Sequence, residues 1–172
     1  TLADLAAADL DDVLKKWEGL GYYTRVRNLH KAARLTAPSL PQGIEALKAL
    51  PGIGKSTAHA IASFAYHTPV PLMDANVKRI LCRLFGIKRA TDKEMWEHAH
   101  RFFDSDRPYD FNQAMMDLGA MVCQSKRALC ESCPLKPVCL ATRSDPLAYP
   151  ERKVKKATPL REKMIVIHAH NG

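Results

Sequence analysis

Four consecutive residues, Pro51-Gly52-Ile53-Gly54, constrain this chain more than any others. They interrupt two segments whose apolar residues recur at helical spacing. Ile44, Leu47 and Leu50 precede the break, and Ala58, Ile61, Ala62 and Ala65 follow it at i, i+3, i+4 and i+7. A proline and two glycines do not continue a helix, and the glycines permit positive φ and close approach by another backbone. The stretch is therefore expected to be a tight turn joining two short helices across residues 44–66. Such a turn exposes amide N–H groups at the start of the second helix, where the dipole favours an anion, and Lys55 adds a cation there. A phosphate of nucleic acid suits that position, held by Gly52, Ile53, Gly54, Lys55 and Ser56. The contact would position a duplex without reading its sequence. A plain helical corner is the alternative.

Charge points the same way. Lys and Arg total 26 against 18 for Asp and Glu, a net charge of +8, and a basic surface attracts polyanions. With 47% hydrophobic residues the chain is expected to fold as a globule. It has no apolar run of eighteen residues, so no transmembrane helix or membrane partner is expected. The opening "TLADLAAADLDD" is acidic and amphipathic, unlike a signal peptide, so an intracellular, cytoplasmic location is expected.

The remaining pattern is helical almost throughout, which predicts an all-α fold. "DLDDVLKKWEGLG" runs from acids to lysines to glycines, the order that suits a helix dipole and a glycine stop. "YYTRVRNLHKAARL" puts Val26, Leu29 and Ala33 on one face, with His30 among the polar residues of the remainder. Pro69 and Pro71 hold "HTPVPLMD" extended. "ANVKRILCRLFG" then steps helically through Val77, Ile80, Leu81 and Leu84, and Thr91 with Glu94 forms a capping box for the next helix. "DFNQAMMDLGAMVC" leads helically into a cysteine-rich loop.

Four of the five cysteines make the pattern C-x6-C-x2-C-x5-C: Cys123, Cys130, Cys133 and Cys139. Thiolates in that number hold zinc or an iron–sulfur cluster, and in a reducing compartment a metal is favoured over disulfides. Structural zinc sites usually pair two short C-x2-C knuckles, and only one is present. Lys126 and Arg127, between the first two cysteines, could meet phosphate. Cys82 falls in the helical core pattern and reads as a plain buried thiol.

Asp74 stands 20 positions after Gly54 of the hairpin turn, beyond the proline loop. It precedes a helix and so reads first as an N-cap. A carboxylate at that position is also suited to face a developing cation. Cleaving an N-glycosidic bond generates such a charge on the sugar.

Taken together, "GLGYYTRVRNLHKAA", "LPGIGKSTAHAI", "MDANVKRIL", "FNQAMMDLGAMVC" and the cysteine loop resemble the helix-hairpin-helix DNA glycosylases, in particular their adenine-specific branch, over roughly residues 1–150. The resemblance implies base excision repair: hydrolysis of adenine mispaired with 8-oxoguanine or guanine in double-stranded DNA, by a monomer acting at the nucleoid of a bacterial cell. It implies that Asp74 faces the sugar cation and Asn76 orients it. Lys78 lies near the site without being essential, and Leu20 and Tyr22 wedge into the duplex beside the lesion. It implies a 4Fe-4S cluster on Cys123, Cys130, Cys133 and Cys139.

Where Ser56 stands, the related endonuclease III-type lyases carry a lysine that forms a Schiff base, so this chain is expected to be monofunctional. The resemblance also implies a glutamate upstream of the region matching Thr1 that protonates the leaving adenine. Glu18, Glu45, Glu94, Glu97 and Glu131 do not stand at matching positions. The sequence is accordingly expected to be a fragment, comprising a helical glycosylase domain over 1–144 and a basic linker over 145–163. At 164–172, "MIVIHAHNG" is expected to open a Nudix-like C-terminal domain. Excision by this stretch alone is expected to be poor or absent. A non-catalytic iron–sulfur DNA-binding module, or a related glycosylase acting on pyrimidines, are the alternatives.

Overall fold

The computed structural model of the chain describes residues 1–151, 162 and 164. Among these residues eight α-helices form: α1 (Leu2–Ala7), α2 (Leu10–Lys16), α3 (Tyr23–Thr36), α4 (Ile44–Lys48), α5 (Lys55–Tyr66), α6 (Ala75–Leu84), α7 (Asp92–Phe102) and α8 (Pro108–Asp117). Among the described residues there is no strand, only an isolated bridge between Cys123 and Ala128. The all-α expectation is borne out. The start of a C-terminal domain expected at 164–172 lies almost wholly outside the described residues.

Helix boundaries follow local chemistry. Asp9 caps α2 by accepting from the Asp11 amide, and Thr1 and Thr91 close capping boxes on α1 and α7 with Asp4 and Glu94. Gly19 and Gly21 take positive φ between α2 and α3. Beyond α8 the chain widens into a π-helical turn, Leu118–Val122, before Cys123.

Two apolar clusters form the interior. The smaller packs the hairpin: Leu47 of α4 against Ala58 and Ala62 of α5, flanked by Leu50, Ile53, Ile61 and Val70. The larger joins α6, α7 and α8 through Val77, Ile80, Leu81, Met95, Ala99 and Met115, and takes in Leu72 and Met73. Residues 68–73 are thus an extended strap that contributes to both cores. Truncating a fully buried member such as Leu81 would cost about 2–5 kcal/mol.

On α3 the structure departs from the sequence pattern. Val26, His30, Ala32 and Ala33 are buried, whereas Leu29 is 44% exposed and lines an apolar groove beside the hairpin. His30 turns inward because its Nε2 bonds the carbonyl of Ala8, where α1 ends. Residues 145–151, the described start of the stretch read as a linker, lie along the helical body. Arg83 Nε donates to the carbonyls of Pro146 and Tyr149, and the Glu151 amide donates to Lys88 O. The rest of that stretch lies outside the described residues.

Candidate functional site

The site begins with the strap. An extended segment has no helical or sheet partners for its backbone, so each polar group needs another. Neighbouring side chains supply them. Asn112 of α8 donates to Val70 O at 2.9 Å and accepts from the Leu72 amide at 2.9 Å. His59 Nδ1 meets Pro71 O at 2.9 Å, and the Ser56 hydroxyl donates to Met73 O. A carbonyl only accepts, so His59 carries its proton on Nδ1. Burial holds this imidazole below its ordinary pKa of 6.5, with Lys55 and His100 adding repulsion, while the bond to Pro71 opposes the shift.

The strap ends at Asp74, which caps α6. Its Oδ1 accepts from the Val77 amide at 2.8 Å, and its Oδ2 from Asn76 Nδ2 at 3.2 Å. Asp74 remains partly exposed. Each carboxylate oxygen therefore has one internal donor and a further lone pair. The capping and functional readings of Asp74 are compatible.

Behind the carboxylate, Asn76 Oδ1 accepts from Arg79 Nη2 at 2.9 Å. The same guanidinium donates to Gly119 O and Cys123 O, both at 2.7 Å. Burial presses against its charge, and the surrounding acceptors hold it. Gly119 is required here, because a Cβ on it would stand 2.5 Å from the Asn76 Cβ. A continuous contact thus runs from Asp74 to the first cysteine of the loop.

Cys123, Cys130, Cys133 and Cys139 line one small cavity of about 30 Å³ with Arg83. Arg83 is buried; its Nη1 lies 3.2 Å from Cys123 Sγ and 2.8 Å from Gln124 O. Burial and the adjacent thiols push the Cys130 thiol above its ordinary pKa. Among the described residues no three His, Cys, Asp or Glu side chains are in coordinating arrangement. The donor set is nonetheless of the soft, thiol-only kind that suits an iron–sulfur cluster or zinc, with an arginine against one sulfur to offset negative charge. Cys82 is buried against Met95, as expected.

The hairpin has the expected tight turn. Gly52 takes φ +76° and packs against the Asn28 side chain, and Gly54 caps α5 with no side-chain bond. Lys55 lies 3.9 Å from the centroid of the Trp96 ring, on the wall of an open cleft of about 710 Å³ between α5 and α7. Lys78 pairs with Asp92 at 2.6 Å. Leu20 and Tyr22 stand just before the start of α3, 66% and 79% exposed. Tyr22 adopts a left-handed conformation (φ 51°), and Trp17 Nε1 ties the loop to Gly21 O at 2.9 Å. Tyr22 is thus not part of the core.

The structure thus gathers Ser56, Asp74 and Asn76 around the end of the strap. Sequence reasoning missed Arg79, Arg83, Trp96 and Asn112. The only signal for the arginines is their i, i+4 spacing on α6.

Residues 1–104 match the model of the HhH-GPD superfamily of base excision DNA repair proteins. The human adenine DNA glycosylase is 43% identical over 151 residues, covering 82% of this chain and 28% of that protein. The adenine DNA glycosylase of Buchnera aphidicola subsp. Acyrthosiphon pisum is 36% identical over 181 residues, covering 99% and 52%. The chain therefore spans between about a quarter and a half of these curated relatives. Among solved structures, a thermostable thymine-DNA glycosylase superposes with a TM-score of 0.77 at 26% identity, covering 83% of this chain and 70% of that one. An endonuclease III in a non-covalent DNA complex gives 0.72 at 25%, with the same coverage.

Proposed function

The chain belongs to the HhH-GPD superfamily of base excision DNA repair proteins, and from that premise we propose that it forms part of an adenine DNA glycosylase. The reaction is hydrolysis of the N-glycosidic bond of adenine mispaired with 8-oxoguanine or guanine in duplex DNA. One observation carries this reading: a partly exposed carboxylate, Asp74, fixed by the Val77 amide and Asn76 with a free lone pair on each oxygen.

As the base leaves, positive charge grows on the deoxyribose. Asp74 stabilises that charge electrostatically, and its benefit is largest in the transition state. Asn76 holds the carboxylate, and Arg79 holds Asn76. A phosphate rests on the turn formed by Gly52, Ile53 and Gly54 and the first amides of α5 at Lys55 and Ser56, with the Lys55 ammonium beside it. Leu20 and Tyr22 enter the duplex and take the space of the extruded nucleotide. Ser56 offers no amine where a lyase carries its nucleophilic lysine. No Schiff base forms, and the DNA backbone stays intact.

Cys123, Cys130, Cys133 and Cys139 would hold a 4Fe-4S cluster, whose chemistry here is to cross-link the loop that carries Lys126 and Arg127. Burial, and then the neighbouring cysteines, raise the Cys130 thiol, and a bound cationic group would favour its thiolate. The protein is taken to act as a monomer.

The test is a panel of duplexes incubated with the whole protein. Release of adenine opposite 8-oxoguanine or guanine, leaving an unbroken abasic strand, is the expected result. Release of a pyrimidine instead would overturn the specificity. Tight duplex binding with no base release would turn the reading to a non-catalytic iron–sulfur DNA-binding module.

A further inference from the structure

The strap that delivers Asp74 is held by one residue more than by any other. Asn112 is 1% exposed. Its Oδ1 accepts from the Leu72 amide at 2.9 Å, and its Nδ2 donates to Val70 O at 2.9 Å and to Ser63 Oγ at 2.8 Å. A single amide thus engages the carbonyl of one strap residue and the N–H of the next but one, as a neighbouring strand would. Because Ser63 belongs to α5 and Asn112 to α8, the clamp also sets these helices against each other. Two more side chains of α5, His59 and Ser56, hold Pro71 O and Met73 O. Of these three side chains only Asn112 bonds both an amide and a carbonyl of the strap, which fixes its register as well as its position.

We propose that Asn112 is a positioning residue for excision. It locks the register of residues 70–73, so that the carboxylate at position 74 stands at the correct depth below the sugar. The inference rests on the glycosylase reading above. A displacement of about 1 Å in such a group costs on the order of a hundredfold in rate. A one-residue slip of an extended segment would exchange the two faces it presents.

Two variants separate positioning from simple stability. Asn112→Leu removes every bond. Asn112→Asp keeps the acceptor for Leu72 but sets a carboxylate oxygen against Val70 O, where the amide donated. Burial raises the pKa of that new acid, and its protonated form regains the donor. The titratable groups on α5, on α8 and at the end of the strap include His59, His67, which caps α5, Asp110, Asp117 and Asp74. The wild type carries all of them, so the ratio of variant to wild type isolates position 112.

The experiment measures single-turnover adenine release, duplex affinity and hydrogen exchange at the Leu72 amide. For Asn112→Leu the expected result is fast Leu72 exchange and release slowed about tenfold to a hundredfold, with affinity changed less than about twofold. For Asn112→Asp, release relative to wild type should rise as pH falls from about 8 to about 5.5. A Leu72 amide still protected in Asn112→Leu, or an Asn112→Asp to wild-type ratio flat with pH, overturns the proposal. Should Asn112→Leu fail to fold, the isosteric aspartate variant decides alone. If the wild-type protein releases no adenine, the glycosylase reading fails instead, and Leu72 exchange by itself decides whether Asn112 clamps the strap.

Discussion

Ser56, at the first turn of α5, donates its hydroxyl hydrogen to the main-chain oxygen of Met73, the residue immediately before Asp74. The start of the hairpin's second helix is therefore bonded directly to the backbone that presents the carboxylate. A phosphate seated on that turn and a sugar facing Asp74 would be held in one rigid frame. Ser56→Ala removes the bond and leaves Met73 O without that donor. It should cost about 1 kcal/mol of stability and slow adenine release more than it weakens duplex binding. Urea denaturation and single-turnover kinetics check both halves.

Gly119 and Asn76 are pressed together more tightly than any side chain would permit. A Cβ at position 119 would meet the Asn76 Cβ at 2.5 Å and its Cα at 3.4 Å, and neither atom can swing away. Gly119→Ala should push Asn76 off Asp74 and strain the Arg79 bonds to Gly119 O and Cys123 O. The expected cost is about 1–3 kcal/mol of stability. Excision should be lost before DNA binding is, as read by release rate and gel shift on the same preparation.

His59 gives the fold a pH dependence whose sign is fixed by its environment. Burial lowers its pKa below the ordinary 6.5, so the unfolded chain binds the proton more readily than the folded one. The ring's contribution to stability is complete above pH 6.5. It drains away as pH falls through 6.5 towards the lower folded value. His59→Asn keeps a donor for Pro71 O without a titrating ring. Denaturation midpoints followed from pH 8 to about pH 5 should fall for the wild type and stay flatter for the variant.

Legibility in the sequence tracked how local each signal is. Asp74 is readable because an N-cap and a proline loop are chain-local features. The 44–66 hairpin is readable because its glycines lie within one turn. The four cysteines are readable from spacing alone. Asn112 is not readable: it sits mid-helix beside Phe111, and the groups that bury it lie at Ser63, Val70 and Leu72, 40 to 49 positions earlier. Leu29 and His30 exchange expected roles because the carbonyl of Ala8, 22 positions away, claims the histidine. Trp96 shows no signal for Lys55 until α5 and α7 are side by side.

That pairing of Lys55 with Trp96 carries its own expectation. The ring holds the ammonium at 3.9 Å, a contact worth about 0.5–1 kcal/mol at a solvated site. If Lys55 meets a phosphate, Lys55→Met should lower the slope of log affinity against log salt by about one. Trp96→Leu should weaken duplex binding about two- to fivefold with the slope unchanged, since the charge remains and only its placement relaxes. A salt titration of binding for both variants separates the two roles.

The central claim is that the Asp74 carboxylate stabilises the sugar cation as adenine departs. The most direct measurement is single-turnover adenine release by Asp74→Asn in the whole protein, with duplex affinity measured alongside. Asparagine keeps an oxygen for the Val77 amide, so α6 stays capped while the negative charge is gone. The account predicts release slowed at least about a thousandfold, with binding retained. Release at close to the wild-type rate would contradict it.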